Sequence, residues 1–366
     1  MVVGAGPVGA SLARAVPGLA VALVGAPPAA PQSGGFDPRV YALSPGNVAF
    51  LRGIGVWDAL PQARVAPVHA MRIFGDGASL EFNAYDAGVP ELAWIVEDSA
   101  LQAALWSGLG SAGTQCTALE LRNGEAVLTL GDGRFLSAAL VVGADGAQSF
   151  VRKAAAIDAR ESEYRQSAVV ANFRCGKPHR NVAFQWFQGG PVLALLPLPG
   201  DQVSMVWSLP GEEAARMASA ASLADEVERA AQSILGPLEL ASPVRSFPLR
   251  HLRARRLVAP RVALVGDAGH VVHPLAGQGL NLGLQDVRVL SEVLNAREPG
   301  RDPGDYRLLR RYERRRAEPI LAMDTVIAGL FALYGAGWTA RMRATGLNLT
   351  DRLPVLKNLL MRQAMG

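Results

Sequence analysis

The chain has 366 residues, of which 50% are hydrophobic and 19% charged, and its formal net charge is +4. This composition excludes a disordered chain, because disordered chains have few hydrophobic residues and a high net charge. It also argues against nucleic-acid binding, since the charge excess is small and no basic groove with interleaved aromatic residues is visible. The length suffices for two domains that share a core.

A glycine-rich turn is the first predicted feature. The sequence GAGPVG, beginning at Gly4, follows an apolar strand and precedes a helix, and a second apolar strand follows at 19–24. Gly4 would permit the tight turn, Gly6 the approach of a pyrophosphate, and Gly9 close packing of the helix on the strand. The pattern predicts a dinucleotide-binding βαβ unit.

This unit has two weak points. Only Met1 to Val3 precede the first glycine, so we expect a very short first strand. Where the second strand ends, a carboxylate usually binds the adenosine ribose, but this chain has Gly25. Either the adenosine ribose is held differently, or the missing charge-assisted hydrogen bond weakens dinucleotide binding by roughly one to two decades. In the second case a Gly25→Glu variant should bind more tightly.

The next elements are predicted from local pattern. Residues 65–95 should form short strands, residues 98–109 a helix capped by Asp98 or Ser99, and residues 114–142 a meander. The meander leads into a further apolar strand, which ends in a turn at Asp145 and Gly146. Another helix follows this turn. These two residues would lie at the carboxyl edge of the parallel sheet, where ligands bind. The alternative is an ordinary strand–turn–helix corner.

The segment from 167 to 248 changes to antiparallel strands, interrupted by a helical stretch at 223–235. Four of its apolar residues are candidates for lining a substrate pocket: Trp186, Leu195, Pro197 and Met205. The alternative is that they are plain sheet core. Since no charged residue occurs between Val192 and Pro199, a carboxylate-rich substrate is not expected.

The most informative stretch is GDAGHVVHPLAGQGLNLGLQD, from Gly266 to Asp286. An apolar strand runs into it and a helix opens near Gln278. Asp267 can accept hydrogen bonds from a sugar-like chain, and Pro274 offers a flat apolar edge. The free N–H groups of the helix start, Gly279 to Asn281, would face an anion. The alternative is a flexible loop before a helix.

Near the C-terminus, six arginines between Arg307 and Arg316 lie on a predicted helix. They form either a solvated face or a contact with anionic lipid headgroups. The apolar segment 320–338 contains Asp324 and falls short of the ~20 residues that span a bilayer. We read it as a packed or peripherally inserted helix.

Other chemistries find no support. The five histidines lack metal-ligand spacing, and His270 and His273 are interpreted as hydrogen-bonded structural residues. We therefore predict no metal site. Two distant cysteines, Cys116 and Cys175, fit a reducing compartment and no disulfide framework. Neither a Ser nucleophile elbow nor a P-loop occurs.

These residues carry a family resemblance. The turns at Gly4–Gly9, Gly143–Arg152 and Gly266–Asp286 resemble the three flavin motifs of the class A FAD-dependent aromatic hydroxylases, and the third is similar to that of the ubiquinone-biosynthesis hydroxylases. The segments Asp37–Leu43, 96–102 and 346–366 agree with that family, whereas Gly25 departs from it.

The resemblance implies an α/β (α+β) fold: a Rossmann-like FAD-binding domain, an inserted antiparallel-sheet substrate domain and C-terminal helices. We expect the boundaries 1–160 for the first FAD-binding part with a strand insertion at 65–95, 161–250 for the substrate domain, 251–300 for the return segment and 301–366 for the helical region. The implied cofactor-binding residues are Gly4, Gly6, Gly9, Arg39, Gln102, Asp145, Gly146, Asp267, Pro274, Gly277, Gln278, Gly279, Leu280 and Asn281. No catalytic side chain is named.

The implied activity is hydroxylation of a polyprenylated phenol or benzoquinol in ubiquinone biosynthesis, with FAD as cofactor, NAD(P)H as electron donor and O2. Two alternatives stay open: a hydroxylase of a small soluble aromatic, and a non-catalytic flavin-fold scaffold. The expected partners are other ubiquinone-biosynthesis proteins, a second copy of the chain and the membrane surface, with no nucleic acid. Because no signal peptide is visible, the expected location is cytoplasmic, peripherally associated with the inner membrane.

Overall fold

The computed structural model describes residues 1–28, 34–75, 78–113, 115–122, 124–273 and 278–335. Its strands, in chain order, are β1 (Val2–Val3), β2 (Leu23–Val24), β3 (Val40–Leu43), β4 (Val65–Val68), β5 (Ala70–Gly75), β6 (Ala78–Asn83), β7 (Ala93–Glu97), β8 (Cys116–Arg122), β9 (Glu125–Leu130), β10 (Phe135–Ala138), β11 (Val141–Gly143), β12 (Ala159–Cys175), β13 (Val182–Phe187), β14 (Val192–Leu198), β15 (Gln202–Pro210), β16 (Leu238–Leu240), β17 (Arg245–Ala254), β18 (Val258–Ala259), β19 (Val262–Leu264) and β20 (His270–Val271). The helices are α1 (Pro7–Ala15), α2 (Pro45–Gly53), α3 (Ala84–Ala87), α4 (Asp98–Trp106), α5 (Phe150–Ala154), α6 (Gly211–Ser219), α7 (Leu223–Ala230), α8 (Gln278–Asn295) and α9 (Tyr306–Gly335), with short 3-10 turns at Trp57–Ala59, Gln62–Arg64 and Gly266–Ala268.

A mainly parallel sheet, in the order β18-β19-β11-β1-β2, carries the glycine-rich turn. Val2 pairs with Val142 on one side and with Leu23 on the other, both in parallel. Strands β1, β11 and β19 are buried along their whole length, as expected of a parallel sheet with both faces covered. The first strand is as short as predicted. The second begins only at Leu23, later than the predicted start at residue 19.

A larger, mostly antiparallel sheet has the order β20-β17-β12-β15-β14-β13-β5-β6, with β16 pairing on β12. Strand β5 joins it in parallel to β13, so that Val182 lies opposite Ala70. The segment 65–95 was predicted as a strand insertion in the FAD-binding domain. Its strands β5 and β6 instead belong to the large sheet. Strand β7, which begins at the end of this segment, instead pairs with β3 and with β4 in a separate small sheet.

Helices α6 and α7 cover one face of the large sheet. Buried apolar residues of both helices, including Met217, Leu223 and Val227, pack against Phe173, Leu193 and their neighbours on the strands. The sequence predicted the helical stretch at 223–235 but missed α6, which has two glutamates in its first turn and buries only Ala214 and Met217. The other face of the sheet is left for the flavin domain.

The C-terminal helices close the parallel sheet. The buried Tyr312 of α9 donates its hydroxyl to the carbonyl of Leu264 on β19, at 2.7 Å. Apolar residues of α8 and α9, such as Leu290 and Leu308, share one core cluster with Val2 and Leu12. Across the described residues, no helix combines the length and the apolar character needed to cross a bilayer.

Candidate flavin and substrate site

The glycine turn between β1 and α1 has the predicted geometry. Gly4 has φ +112°, and a Cβ added there would lie 2.2 Å from the carbonyl oxygen of Ala144. A Cβ on Gly9 would lie 2.0 Å from the carbonyl oxygen of Gly4, so both positions require glycine. At Gly6 no atom lies within 4 Å of an added Cβ, and no side chain caps the helix that begins after it. The uncapped N–H groups therefore face open space that fits a pyrophosphate.

Gly25, at the end of β2, lies against this turn. Its φ is +144°, and an added Cβ would lie 2.9 Å from the Cβ of Ala5 and 3.1 Å from its nitrogen. The Gly25 carbonyl also accepts a hydrogen bond from the Ser111 hydroxyl, at 2.5 Å. That a glutamate at this position would tighten binding stays a prediction, and the structure argues against it, because an added side chain would meet Ala5 and the φ disfavours one.

The second motif has a local structural task. Gly146 has φ +77°, and the two Asp145 carboxylate oxygens accept from the Ser149 hydroxyl at 2.5 Å and from the Val151 amide at 3.1 Å. These contacts hold the start of α5. They are the contacts expected of an ordinary strand–turn–helix corner, which was the alternative interpretation of this motif. That Asp145 binds a cofactor stays a prediction.

Asp267 lies on the 3-10 turn that follows β19. Its side chain is reached by solvent yet surrounded by protein, as in a cleft, and this enclosure raises the pKa of the carboxyl. The nearby charges of His270 and Arg39 lower that pKa, but by less than the enclosure raises it. A solvent-reached acceptor at the edge of the parallel sheet fits the predicted contact with a ribityl chain.

Arg39 belongs to a polar cluster that the sequence only partly revealed. Asp98 accepts from the hydroxyl of Tyr41 and from the amide of Gln102, each at 2.9 Å, and lies 3.9 Å from the Arg39 guanidinium. Tyr41 and Asp98 raise the pKa of Arg39, while burial raises that of Tyr41. Two predicted cofactor residues, Arg39 and Gln102, are thus brought together by a carboxylate assigned only as a helix cap.

The cap of α4 comes from elsewhere. Asp37 accepts from the Ser99 amide at 3.3 Å, whereas neither Asp98 nor Ser99 caps the helix. The Asp37 carboxylate also accepts from the amide of Arg39, at 2.9 Å. The helix ends at Trp106, and the indole N–H of that residue donates to the carbonyl of Ala5, at 3.0 Å. Through these contacts α4 connects the Arg39 loop with the glycine turn.

Asn281, in the first turn of α8, has its side chain fully engaged with the start of α2. Its Oδ1 accepts from the Asn47 amide at 2.8 Å and from the Ser44 backbone at 3.1 Å, and its Nδ2 donates to the Ala42 carbonyl at 2.8 Å. The prediction that Asn281 binds cofactor therefore narrows to its backbone N–H. Gly279 has no atom within 4 Å of an added Cβ, and Leu280 is half-buried beside the core.

Behind the Asp267 turn lies a buried charged network centred on Asp286. Its carboxylate accepts from the Gly266 amide at 2.8 Å, contacts His270 Nε2 at 2.6 Å and accepts from Arg316 Nε at 2.6 Å. Burial alone would raise the pKa of Asp286, but His270, Arg316 and the amide outweigh it and lower the pKa. Burial likewise lowers the pKa of His270, and Asp286 reverses this and raises it. The network fixes the turn that presents Asp267.

The two faces of the large sheet decide where substrate can lie. Trp186, Leu195 and Met205 are almost fully buried in the cluster covered by α6 and α7, and Pro197 shares their face because it pairs with Val203 of that cluster. The prediction that these four residues line a substrate pocket is therefore wrong. Strict alternation along each strand places them away from the flavin domain.

The opposite face meets the flavin domain. Val192 packs there with Val272 and with Leu282 of α8. Ala194 and Val206 pair across β14 and β15, in the middle of the sheet, yet both stay only half-buried. Half-buried residues at the centre of a sheet indicate a cleft on this face.

His273 closes one end of that face. Its Nε2 lies 3.3 Å from Gln166 Oε1, and the ring packs edge-on against Tyr164 at 4.9 Å between centroids. Burial lowers the pKa of His273 to about 4. Pro274 and Gly277, which the sequence assigned to the cofactor, lie outside the described residues, as does the side chain of Gln278.

Comparison with known proteins identifies the family. Residues 1–324 match the family model described as "FAD binding domain". The chain is 35% identical to ubiquinone hydroxylase UbiL of Rhodospirillum rubrum, covering 100% of this chain and 89% of that protein. It is 34% identical to 3-demethoxyubiquinol 3-hydroxylase of Escherichia coli, covering 100% of this chain and 97% of that protein. The chain belongs to the FAD-dependent hydroxylases of ubiquinone biosynthesis.

Among solved structures, Klebsiella pneumoniae HpxO complexed with FAD and uric acid superposes with a TM-score of 0.77 over 99% of this chain and 96% of that one, at 18% identity. This likeness confirms the predicted fold class. The family membership confirms the predicted cofactor, and the protein is an FAD-dependent monooxygenase. The open glycine turn, the uncapped start of α1 and the accessible Asp267 fit FAD.

Proposed function

We propose that this monooxygenase hydroxylates the ring of a polyprenylated phenol or benzoquinol in ubiquinone biosynthesis, taking electrons from NAD(P)H and one oxygen atom from O2. The names of its full-length relatives support the pathway. The large sheet supports the chemical class of the substrate.

The observation that carries the proposal is the absence of charge on three neighbouring strands of the cleft, β13, β14 and β15. None of the residues of β13, β14 and β15 carries a charged side chain. Across the cleft face, Gln185, Ala194, Val206 and Val170 follow one another as paired neighbours. An uncharged, mostly apolar surface suits an uncharged ring with a hydrocarbon tail, since burying an unpaired carboxylate there would be costly.

The chain's own groups provide binding and electrostatics. When bound, FAD supplies the oxygen-activating redox chemistry. We propose that the N–H groups at Gly6 and at Gly279 to Asn281 stabilise negative charge on the cofactor, because helix N-termini favour anions. Asp267 and Arg39 would hold its polar chain. The apolar sheet face would keep water from the reacting ring.

We further propose a peripheral contact with the membrane, because a polyprenyl tail is buried in lipid. Leu321 and Val326 of α9 are about half exposed and offer an apolar contact. The six arginines from Arg307 to Arg316 offer less free positive charge for anionic lipid headgroups than the sequence suggested. Four of the six pair with carboxylates, namely Arg310 with Glu313, Arg311 with Glu298, Arg315 with Glu292 and Arg316 with Asp286.

The proposal is tested by quinone profiling. A strain that lacks its own ring hydroxylase should regain ubiquinone when it expresses this chain, and the accumulated precursor will identify the ring position. An Ala194→Phe variant should fill the cleft and abolish rescue while the purified protein stays yellow with bound FAD. Thr117→Phe, at an exposed position of β8, serves as the control.

Rescue by wild type and by Thr117→Phe, but not by Ala194→Phe, supports both the substrate class and the cleft. No rescue by an FAD-loaded wild-type protein would contradict the proposal. It would favour the alternative that the substrate is a small soluble aromatic. A colourless wild-type protein would favour the scaffold alternative instead.

A further inference from the structure

We propose that this protein has a second binding site, separate from the flavin cleft, for a ligand that carries at least two phosphate groups. The site is a pocket of about 340 Å³ between the end of β17, the start of β18 and one side of α9. Five arginines and one glutamate contribute to its lining: Arg253, Arg255, Arg256, Arg310, Arg314 and Glu313. We call it the arginine pocket.

The charges of the arginine pocket are not balanced by the protein. Glu313 is held by the Leu257 amide at 2.8 Å and by Arg310. Arg253 lies 3.5 Å from Asp324, which is shared with His251. Within the described part of the chain, no carboxylate pairs with Arg255, Arg256 or Arg314. Several like charges in one concavity repel one another, and a bound polyanion relieves that repulsion.

The fold fixes the backbone that carries the arginines, while the side chains of Arg255, Arg256 and Arg314 are exposed. The Arg255 amide donates to the Asp158 carbonyl at 2.8 Å, which holds the end of β17. Leu257 and Ile320 form a buried apolar floor, at 7% and 5% exposure. The neighbouring arginines thus project from a strand end and a helix that are both anchored in the core.

Arginine in this arrangement selects phosphate chemistry. The planar guanidinium forms paired hydrogen bonds with phosphate oxygens, and several such groups around one cavity suit more than one phosphate. The volume lies within the ~300–1,000 Å³ range of small-molecule sites, larger than a single ion needs. A pyrophosphate-bearing dinucleotide and a phospholipid headgroup share this chemistry.

The pocket is distinct from the flavin cleft but adjoins its supporting turn. Gly269 lines the pocket, and its amide donates to the Gly266 carbonyl at 2.8 Å. The pocket therefore adjoins the turn Gly266–Ala268, which carries Asp267. Neither Asp267 nor any other residue assigned to the cofactor lines the arginine pocket.

Calorimetric titration of the FAD-loaded protein with inorganic pyrophosphate, at low ionic strength, tests the site. We expect saturable one-to-one binding that weakens with salt and falls at least tenfold in Arg256→Ala/Arg314→Ala. Arg307→Ala removes one exposed arginine from the same helix, outside the pocket, and should bind pyrophosphate like wild type. Circular dichroism and flavin absorbance show whether each variant is folded and loaded.

No saturable binding by the wild type would overturn the proposal, as would an equal loss in Arg307→Ala and in the double variant. The ligand source is assigned by competition against pyrophosphate. Competition by NADPH, with NADH for comparison, indicates a dinucleotide, and competition by cardiolipin vesicles, with phosphatidylcholine vesicles for comparison, indicates a lipid headgroup. Since the readout is binding and not hydroxylation, the outcome is independent of the quinone profile.

Discussion

His270 Nε2 lies 2.6 Å from Asp286 Oδ2, and the two side chains are 2% and 0% exposed. Asp286 also accepts from the Gly266 amide and the Arg316 guanidinium, so one carboxylate connects the Asp267 turn, β20, α8 and α9. A buried charge with three partners is strongly stabilised only while all of them remain. The turn that presents Asp267 therefore depends on a residue that lies behind it.

Asp286→Asn should lower the free energy of unfolding by about 3–5 kcal/mol, because it leaves Arg316 buried without a counter-charge. We also expect weaker FAD binding, since the Gly266 amide loses a charged acceptor. Urea denaturation and flavin titration measure the two effects. Arg315→Ala is the matched control, because it breaks a neighbouring but half-exposed pair with Glu292 of α8. It should cost under about 1 kcal/mol, and an equal cost in both variants would contradict the assigned role.

Asp267→Ala should release FAD from a folded protein. The carboxylate is accessible in the cleft, and losing its charge-assisted hydrogen bonds to a ligand is worth about 1.5–3 kcal/mol, or roughly one to two decades in affinity. The ratio of flavin to protein absorbance gives the occupancy. Asp58→Ala, at a 70% exposed carboxylate that pairs with Arg52, provides the control. Full flavin content in Asp267→Ala would show that the turn binds cofactor through other groups.

Gly25→Glu should destabilise the protein and leave FAD binding no tighter. The backbone at Gly25 has φ +144°, a region that costs a side chain about 1–3 kcal/mol, and the added Cβ also meets Ala5. Gly108→Glu separates the two causes, because Gly108 has φ +75° with nothing within 4 Å of an added Cβ. Thermal unfolding of both variants, with flavin titration of Gly25→Glu, provides the comparison. Tighter FAD binding in Gly25→Glu would mean that the turn moves to admit the side chain.

Protonation of His273 should contribute to acid sensitivity. Its pKa falls from 6.5 to about 4 on burial, so the folded state holds the neutral imidazole while the unfolded state takes up a proton below pH 6.5. The contribution to stability is full above pH 6.5 and is lost as the pH falls toward 4. In that window the slope attributable to His273 is up to ~1.4 kcal/mol per pH unit. His273→Asn should flatten the pH dependence of urea unfolding relative to wild type, and an unchanged slope would contradict this origin.

Local patterns predicted the turns better than the contacts between distant segments. The roles of Gly4 and Gly9 and the start of α8 at Gln278 follow from neighbouring residues, and the structure has them as expected. Alternation along β14 separated two faces of the strand, but it does not reveal which face α6 and α7 cover. Leu195 was therefore placed on the wrong side of the sheet.

Side chains that connect distant segments were also misassigned. Asp98 was interpreted as a helix cap because it opens α4, yet its partners come from nearly sixty positions earlier, Tyr41 on β3 and Arg39 just before that strand. Asn281 was assigned to ligand, whereas its amide is engaged by Asn47. The only sequence signal for these roles was polarity at positions that turned out to be buried.

The register of the parallel sheet has a consequence for how the chain folds during synthesis. Val142 of β11 pairs with Val2 on one side and with Ala263 on the other. All strands of the large sheet except β20 are therefore synthesised before β19 emerges to complete the flavin sheet. Because long-range parallel pairing is slow, the exposed edge of β11 must stay protected until then. A ribosome-bound chain ending before Val262 should accordingly be the form that most needs a chaperone.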